Sequence, residues 1–186
     1  MYSAQEFHDT FTSHGSDKEE HGYGIVYEDA FKDFDKESSF KIFEIGLLYG
    51  ASVRALSELF PKARILGMDI HQHSGLVTSS FSNNVNILFA DSTKRQIYSH
   101  YREQYFKTGY DIIIDDGEHS SASQIATFCN LKGKFQKCYI IEDILGDDQY
   151  EDLSKMITSL GYKFDTHVST RYNNDPTCRV ITIWKH

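Results

Sequence analysis

Asp116, His119 three residues beyond it, and the pair Glu142-Asp143 are the residues of this chain best suited to doing chemistry. Both acidic groups close apolar runs, 110–115 and 137–142, that read as strands. Ligands of open α/β sheets bind beyond the carboxyl edge of the strands. Neighbouring strands lie ~4.8 Å apart, so if these two are adjacent, Asp116, Glu142 and Asp143 converge there. Carboxylates that close raise one another's pKa unless a cation neutralises them. Hard oxygen ligands with open positions suit Mg²⁺. A metal holding two substrate hydroxyls acidifies one of them, and an imidazole at His119 could take the proton. Plainer readings stand beside this one. Asp115 and Asp116 could form a strand-end turn with Gly117 or cap the next helix, Glu142-Asp143 could open a loop, and a loop histidine is usually a surface residue.

The elements that must position these groups alternate from residue 40 onward. Strand patterns fall at 40–45, 64–70, 85–90, 110–115 and 137–142, with helical patterns at 51–60, 94–106, 120–131 and 149–160. The runs Ile112-Ile113-Ile114 and Tyr139-Ile140-Ile141 are continuously apolar, as strands covered by helices on both faces are. Strands separated by helices imply parallel pairing with right-handed crossovers. Segments 162–168 and 179–184, joined by a polar loop with Asn173, Asn174, Asp175 and Pro176, read as an antiparallel hairpin. The expected fold is α/β: a Rossmann-like, doubly wound seven-stranded sheet, mostly parallel with the last strand reversed. Residues 1–39 read as an N-terminal helical segment or lid, with one helix over 23–34, and residues 40–186 as the domain carrying the site.

A cofactor position is also legible. Gly46 ends the first strand pattern, Gly50 follows after three residues, and a helix begins at Ala51-Ser52, so backbone N–H groups face a ligand there. A dinucleotide needs G-x-G-x-x-G, and Leu48 stands at the middle position. S-adenosylmethionine (SAM) carries no phosphate and tolerates that side chain. Its amino-acid end can meet Ser52, its ribose hydroxyls Asp69, and its adenine amino group Asp91. Asp91 serves equally well as a helix cap. His71 and His73 read as pocket rim and Tyr49 as pocket wall; Arg171, Asn173 and Asn174 could contact substrate.

At 186 residues the chain suits one well-buried domain. A net charge of −8 with no basic footprint argues against a nucleic-acid partner. No run spans a bilayer and no signal pattern opens the chain, so a cytoplasmic protein is expected. Cys129, Cys138 and Cys178, odd in number and widely spaced, read as reduced thiols.

Five segments together resemble the class I SAM-dependent methyltransferases, and among them the Mg-dependent sugar O-methyltransferases of macrolide tailoring and their cephalosporin-hydroxylase-like relatives. They are Gly15-Ser16-Asp17-Lys18 with His21-Gly22-Tyr23, Phe43-Glu44-Ile45-Gly46 with Gly50-Ala51-Ser52, Gly67-Met68-Asp69-Ile70, Ile114 through Ser120, and Ile140 through Ile144. The resemblance implies SAM and Mg²⁺ as cofactors and a small hydroxylic acceptor, a sugar. It implies that Glu44, Gly46, Gly50, Ser52, Asp69 and Asp91, with Lys18 and Tyr23, lie at the cofactor. It also implies that Asp116, Glu142 and Asp143 bind metal while His119 is the base. A catechol-type O-methyltransferase and a non-catalytic SAM-binding module are the rival readings, and a homo-oligomer could complete a pocket on so small a domain.

Overall fold

The computed structural model describes residues 2–73, 81–169 and 178–185. Among them a seven-stranded sheet has the order β3-β2-β1-β4-β5-β7-β6. The strands are β1 (Lys41–Ile45), β2 (Arg64–Asp69), β3 (Val85–Phe89), β4 (Tyr110–Asp115), β5 (Phe135–Leu145), β6 (Lys163–Val168) and β7 (Cys178–Trp184). β1 to β5 pair in parallel. β7 runs antiparallel to both β5 and β6, so it alone is reversed, as the sequence implied. The helices are α1 (Ala4–His14), α2 (Gly24–Phe31), α3 (Ala51–Leu59), α4 (Arg95–His100), α5 (Ser121–Leu131) and α6 (Asp147–Ser159). No helix among the described residues is long and apolar enough to cross a membrane.

Alternation along the strands builds two cores. Ile42, Ile112, Ile114 and Ile140 point to one face, where they meet Phe7, Phe11, Tyr27 and Phe31 of α1 and α2 and Val53 and Leu56 of α3. Phe43, Ile113, Tyr139 and Ile141 point to the other and meet Phe128 and Leu131 of α5 and Leu153 and Ile157 of α6. Each buried aliphatic or aromatic side chain of this kind contributes ~1.5–3 kcal/mol. The N-terminal helices thus pack on the sheet through a stack of rings, Phe31 lying 4.9 Å from Phe60.

Differences from the sequence reading have local causes. α1 was not anticipated, because only Phe7 and Phe11 break an otherwise polar stretch. Its signal was Ser3 and Glu6, which form a capping box with both reciprocal bonds. α2 stops at Phe31 instead of 34, and the helix expected over 94–106 divides into α4 and a π turn, Arg102–Phe106. β5 runs three residues further than expected, through a register shift between Ile141 and Ile144. The loop with Arg171, Asn173 and Asn174 lies outside the described residues.

Candidate functional site

Gly46 leaves β1 at φ +85°, and a Cβ there would stand 1.7 Å from the Asp116 carbonyl oxygen. Only glycine lets the β1–α3 turn lie against the end of β4. The turn then passes Leu48 at φ 48° and Gly50 at φ 75° into α3. No side chain caps α3, so its first N–H groups remain open to a ligand. Asp69, ending β2, holds the turn: Oδ2 accepts from the Leu47 and Leu48 amides at 2.8 and 3.1 Å, and Oδ1 from His71 at 2.8 Å. Three backbone donors leave acceptor capacity on a carboxylate with ~four lone-pair sites.

A cleft of about 1010 Å³ opens above this edge, lined by Gly46, Ser52, Asp69, Asp91, Asp116 and His119 among others. Tyr49, His71 and His73 line it too. Asp91 does not cap α4, whose N-cap residue is Lys94 with no side-chain cap bond. Asp91 faces the cleft while accepting from the Thr93 amide at 2.9 Å and the Thr93 hydroxyl at 2.6 Å.

Beneath the cleft floor the carboxylates gather around one ammonium. Glu44, Asp116 and Glu142 follow Ile42, Ile114 and Ile140 by two residues each, so strand alternation sends all three to the face covered by α1 and α2. Lys18, in the link between those helices, meets them there. Its Nζ lies 2.6 Å from Asp116 Oδ2 and 3.6 Å from Glu44 Oε1, and it donates a hydrogen bond to Glu142 Oε2. The Tyr27 hydroxyl donates to the other Glu142 oxygen at 2.7 Å. Burial would lower the lysine pKa, but Asp116 and Glu142 outweigh it and hold the ammonium well above its usual range. Burial pushes Glu142 up to about 8 and Glu44 to about 7, against the pull of Lys18.

Asp143 escapes the alternation that would send it to the opposite face from Glu142. It sits in the register shift of β5 with φ 51°, a left-handed conformation aspartate tolerates, and the bulge turns its side chain toward Asp116. His21 Nδ1 lies 3.0 Å from Asp143 Oδ1, and the Tyr23 hydroxyl donates to the same oxygen. Burial opposes ionisation there, but these bonds and the nearby His119 hold Asp143 down at about 2.

His119 stands between the two aspartates. Nε2 is 3.3 Å from Asp116 Oδ1, and Nδ1 is 3.6 Å from Asp143 Oδ2. Nε2 is shut off from solvent without the alignment of a hydrogen bond among the described residues. Burial opposes the charged ring, yet Asp116, then Asp143 and Glu142, push its pKa up to about 9. One ligand atom from each of Asp116, His119 and Asp143 lies within 4.8 Å of the others. Two carboxylates that each turn an oxygen to this point fit a divalent cation, and the unsatisfied imidazole nitrogen beside them is free to take a proton.

The expected site residues therefore separate into two layers. Gly46, Ser52, Asp69, Asp91, Asp116 and His119 face the cleft, with Asp143 beside them. Lys18 and Tyr23, expected at the cofactor, are buried beneath it on carboxylates, and Glu44 is buried with Lys18. Glu142, expected among the metal ligands, has both oxygens occupied by Lys18 and Tyr27 and stands outside the three-residue group. Gly50 shapes the turn from the N-cap position of α3.

No family model matches the chain, and no curated protein matches it in sequence. Solved structures do match in shape. MycE methyltransferase from the mycinamycin biosynthetic pathway, in complex with Mg and SAH, superposes at a TM-score of 0.73 with 21% identity, covering 97% of this chain and 54% of its own. MycE is also known with Mg, SAH and mycinamycin VI bound together, at the same TM-score and 20% identity. Human methyltransferase-like protein 13 with SAH covers 90% of this chain and 82% of its own, at TM-score 0.67 and 14% identity. Aeropyrum pernix fibrillarin with natively bound SAM covers 81% and 68%, at 0.64 and 15%. The fold is that of the class I SAM-dependent methyltransferases. This chain spans about half the length of the MycE chains it resembles.

Within that methyltransferase fold, sequence reasoning missed how the second layer works. Three carboxylates on one face of adjacent strands, Glu44 level with Ile114 and so two residues behind Asp116, demand a cation. Lys18, in a motif with His21 and Tyr23, was available to supply it. The Tyr27 ring packs against Phe11 and Phe31, while its hydroxyl reaches Glu142.

Proposed function

We propose that this chain is a SAM-dependent, Mg-dependent O-methyltransferase that acts on a hydroxyl of a small polar acceptor, a sugar. One observation carries the reading: Asp116 and His119 line the same cleft as the glycine turn and Asp69, and Asp143 converges on them. The uncapped start of α3 suits the carboxylate of an amino acid, and Asp69 keeps lone pairs for ribose hydroxyls. Oxygen from Asp116 and Asp143 would hold the ion. When bound, a divalent cation supplies acidification of a substrate hydroxyl and fixes it beside the methyl donor.

The chain's own residues do the rest. Asp116 and Asp143 are pre-set by bonds from beneath, so little reorganisation is needed. His119 accepts the hydroxyl proton. In the metal-free protein the adjacent carboxylates hold its ring protonated up to about pH 9. Charge neutralisation of Asp116 and Asp143 removes that push and frees the ring to act as a base near neutrality. Ser52, Ile70 and Asp91 line the cleft wall where a nucleoside would lie.

The test is transfer of labelled methyl groups from SAM to a panel of sugars and catechols, with magnesium and with chelator. The proposal expects transfer to a sugar hydroxyl that stops in chelator and in His119→Ala, while cofactor binding persists. Full activity in chelator removes the metal, preference for catechols replaces the acceptor class, and cofactor binding without any turnover favours a non-catalytic module.

A further inference from the structure

Each of the two aspartates in the candidate ion site has one oxygen held from behind and one turned forward. Asp116 gives Oδ2 to Lys18 and presents Oδ1 to His119; Asp143 gives Oδ1 to His21 and Tyr23 and presents Oδ2 to His119. Lys18, His21 and Tyr23 come from one six-residue stretch between α1 and α2, and the Cys178 thiol adds a longer contact, 3.8 Å, to Asp143 Oδ1. That stretch is anchored in turn. The Ser169 hydroxyl donates to the His21 carbonyl at 2.7 Å, and the Tyr23 hydroxyl lies 3.5 Å from Cys178 Sγ. The Lys18 and Tyr23 side chains are each 1% exposed, so both donors act from the interior of the fold.

We propose that Lys18, His21 and Tyr23 are positioning residues for the ion: they fix the orientation of Asp116 and Asp143 and leave one oxygen of each free to ligate. The inference rests on the metal-dependent reading above and assigns to the N-terminal motif a task in that site. Donors that orient metal-ligating carboxylates are worth ~10–100-fold in metal affinity. A bond on the rear oxygen matters most for Asp143, because its left-handed backbone alone does not fix the rotation of the side chain. Without the Tyr23 hydroxyl the carboxylate can turn and offer the ion a different edge.

The experiment is calorimetric titration of Mn²⁺ into the purified chain, which needs neither substrate nor turnover. Tyr23→Phe keeps the buried ring and removes only the hydroxyl; Lys18→Met removes the ammonium; Tyr110→Phe, on the Tyr105 carbonyl at the other end of β4, is the control. The inference expects a single Mn²⁺ site whose affinity falls at least tenfold in Tyr23→Phe and is unchanged in Tyr110→Phe. Should Lys18→Met fail to fold, Tyr23→Phe decides alone. Wild-type affinity in Tyr23→Phe, or an equal loss in Tyr110→Phe, overturns the inference and leaves the ion site standing. No Mn²⁺ binding by the wild type overturns the ion site itself, and the inference falls with it.

Discussion

The ammonium of Lys18 and the carboxylate of Asp116 lie 2.6 Å apart across 98 positions of sequence. That contact ties the link between α1 and α2 to the carboxyl end of β4. Removing one partner of a buried pair leaves an uncompensated charge, at a cost of about 3–5 kcal/mol. Lys18→Met should lose stability in that range in urea unfolding, because Glu44 and Glu142 lose the same partner. A loss under about 1 kcal/mol, the scale of an exposed pair, would show that the cluster does not depend on Lys18.

In the metal-free protein, stability should fall as pH rises through the neutral range. The folded-state pKa of His119 is raised from 6.5 to about 9. Its contribution is therefore fully present below pH 6.5 and is lost as pH rises through 9. Glu142 and Glu44, with raised values of about 8 and 7, act in the same direction over a lower window. Thermal midpoints in chelator should decline between pH 6.5 and 9, and His119→Ala should flatten the upper part of that decline. Asp143 works oppositely. Held at about 2, it contributes stability above pH 3.8 that is lost as pH falls toward 2.

Gly46→Ala should disable the site and the fold together. The new methyl would meet the Asp116 carbonyl at 1.7 Å, at a φ of +85° that L-residues avoid. The left-handed backbone alone costs about 1–2 kcal/mol, and relief of the clash must move the end of β4. Urea unfolding and SAH calorimetry should both record the loss. A variant with unchanged stability would mean that the turn does not rest on β4.

Asp69→Asn preserves shape but removes the charge that accepts three backbone N–H groups. Hydrogen bonds to a charged group are worth about 1.5–3 kcal/mol, so SAH affinity should drop by ~10-fold or more. Calorimetry reads this directly. Unchanged affinity would remove Asp69 from the cofactor site.

Much of the architecture was legible because it follows from local pattern. The triple isoleucine run of β4 and its counterpart in β5 announced strands covered on both faces, and the glycine turn announced where β1 ends. The carboxylates at strand ends were legible for the same reason, since parallel strands share an edge. Two features were not. The bulge that swings Asp143 toward Asp116 depends on pairing between β5 and β7, and no local signal in Glu142-Asp143 encodes it. Lys18 looked like a residue of a polar N-terminal stretch, and its burial depends on α1 packing through Phe7 and Phe11. Strand alternation did hold the clue, because it sends Glu44, Asp116 and Glu142 to one face.

The proposed chemistry requires an ion held between β4 and β5 beside the cleft. Anomalous diffraction at the manganese edge, from crystals grown with Mn²⁺ and SAH, tests that directly. One strong peak is expected within ligating distance of both Asp116 and Asp143, with SAH on the Gly46–Gly50 turn. SAH in place with no peak between those aspartates, or with the metal elsewhere, would contradict that chemistry.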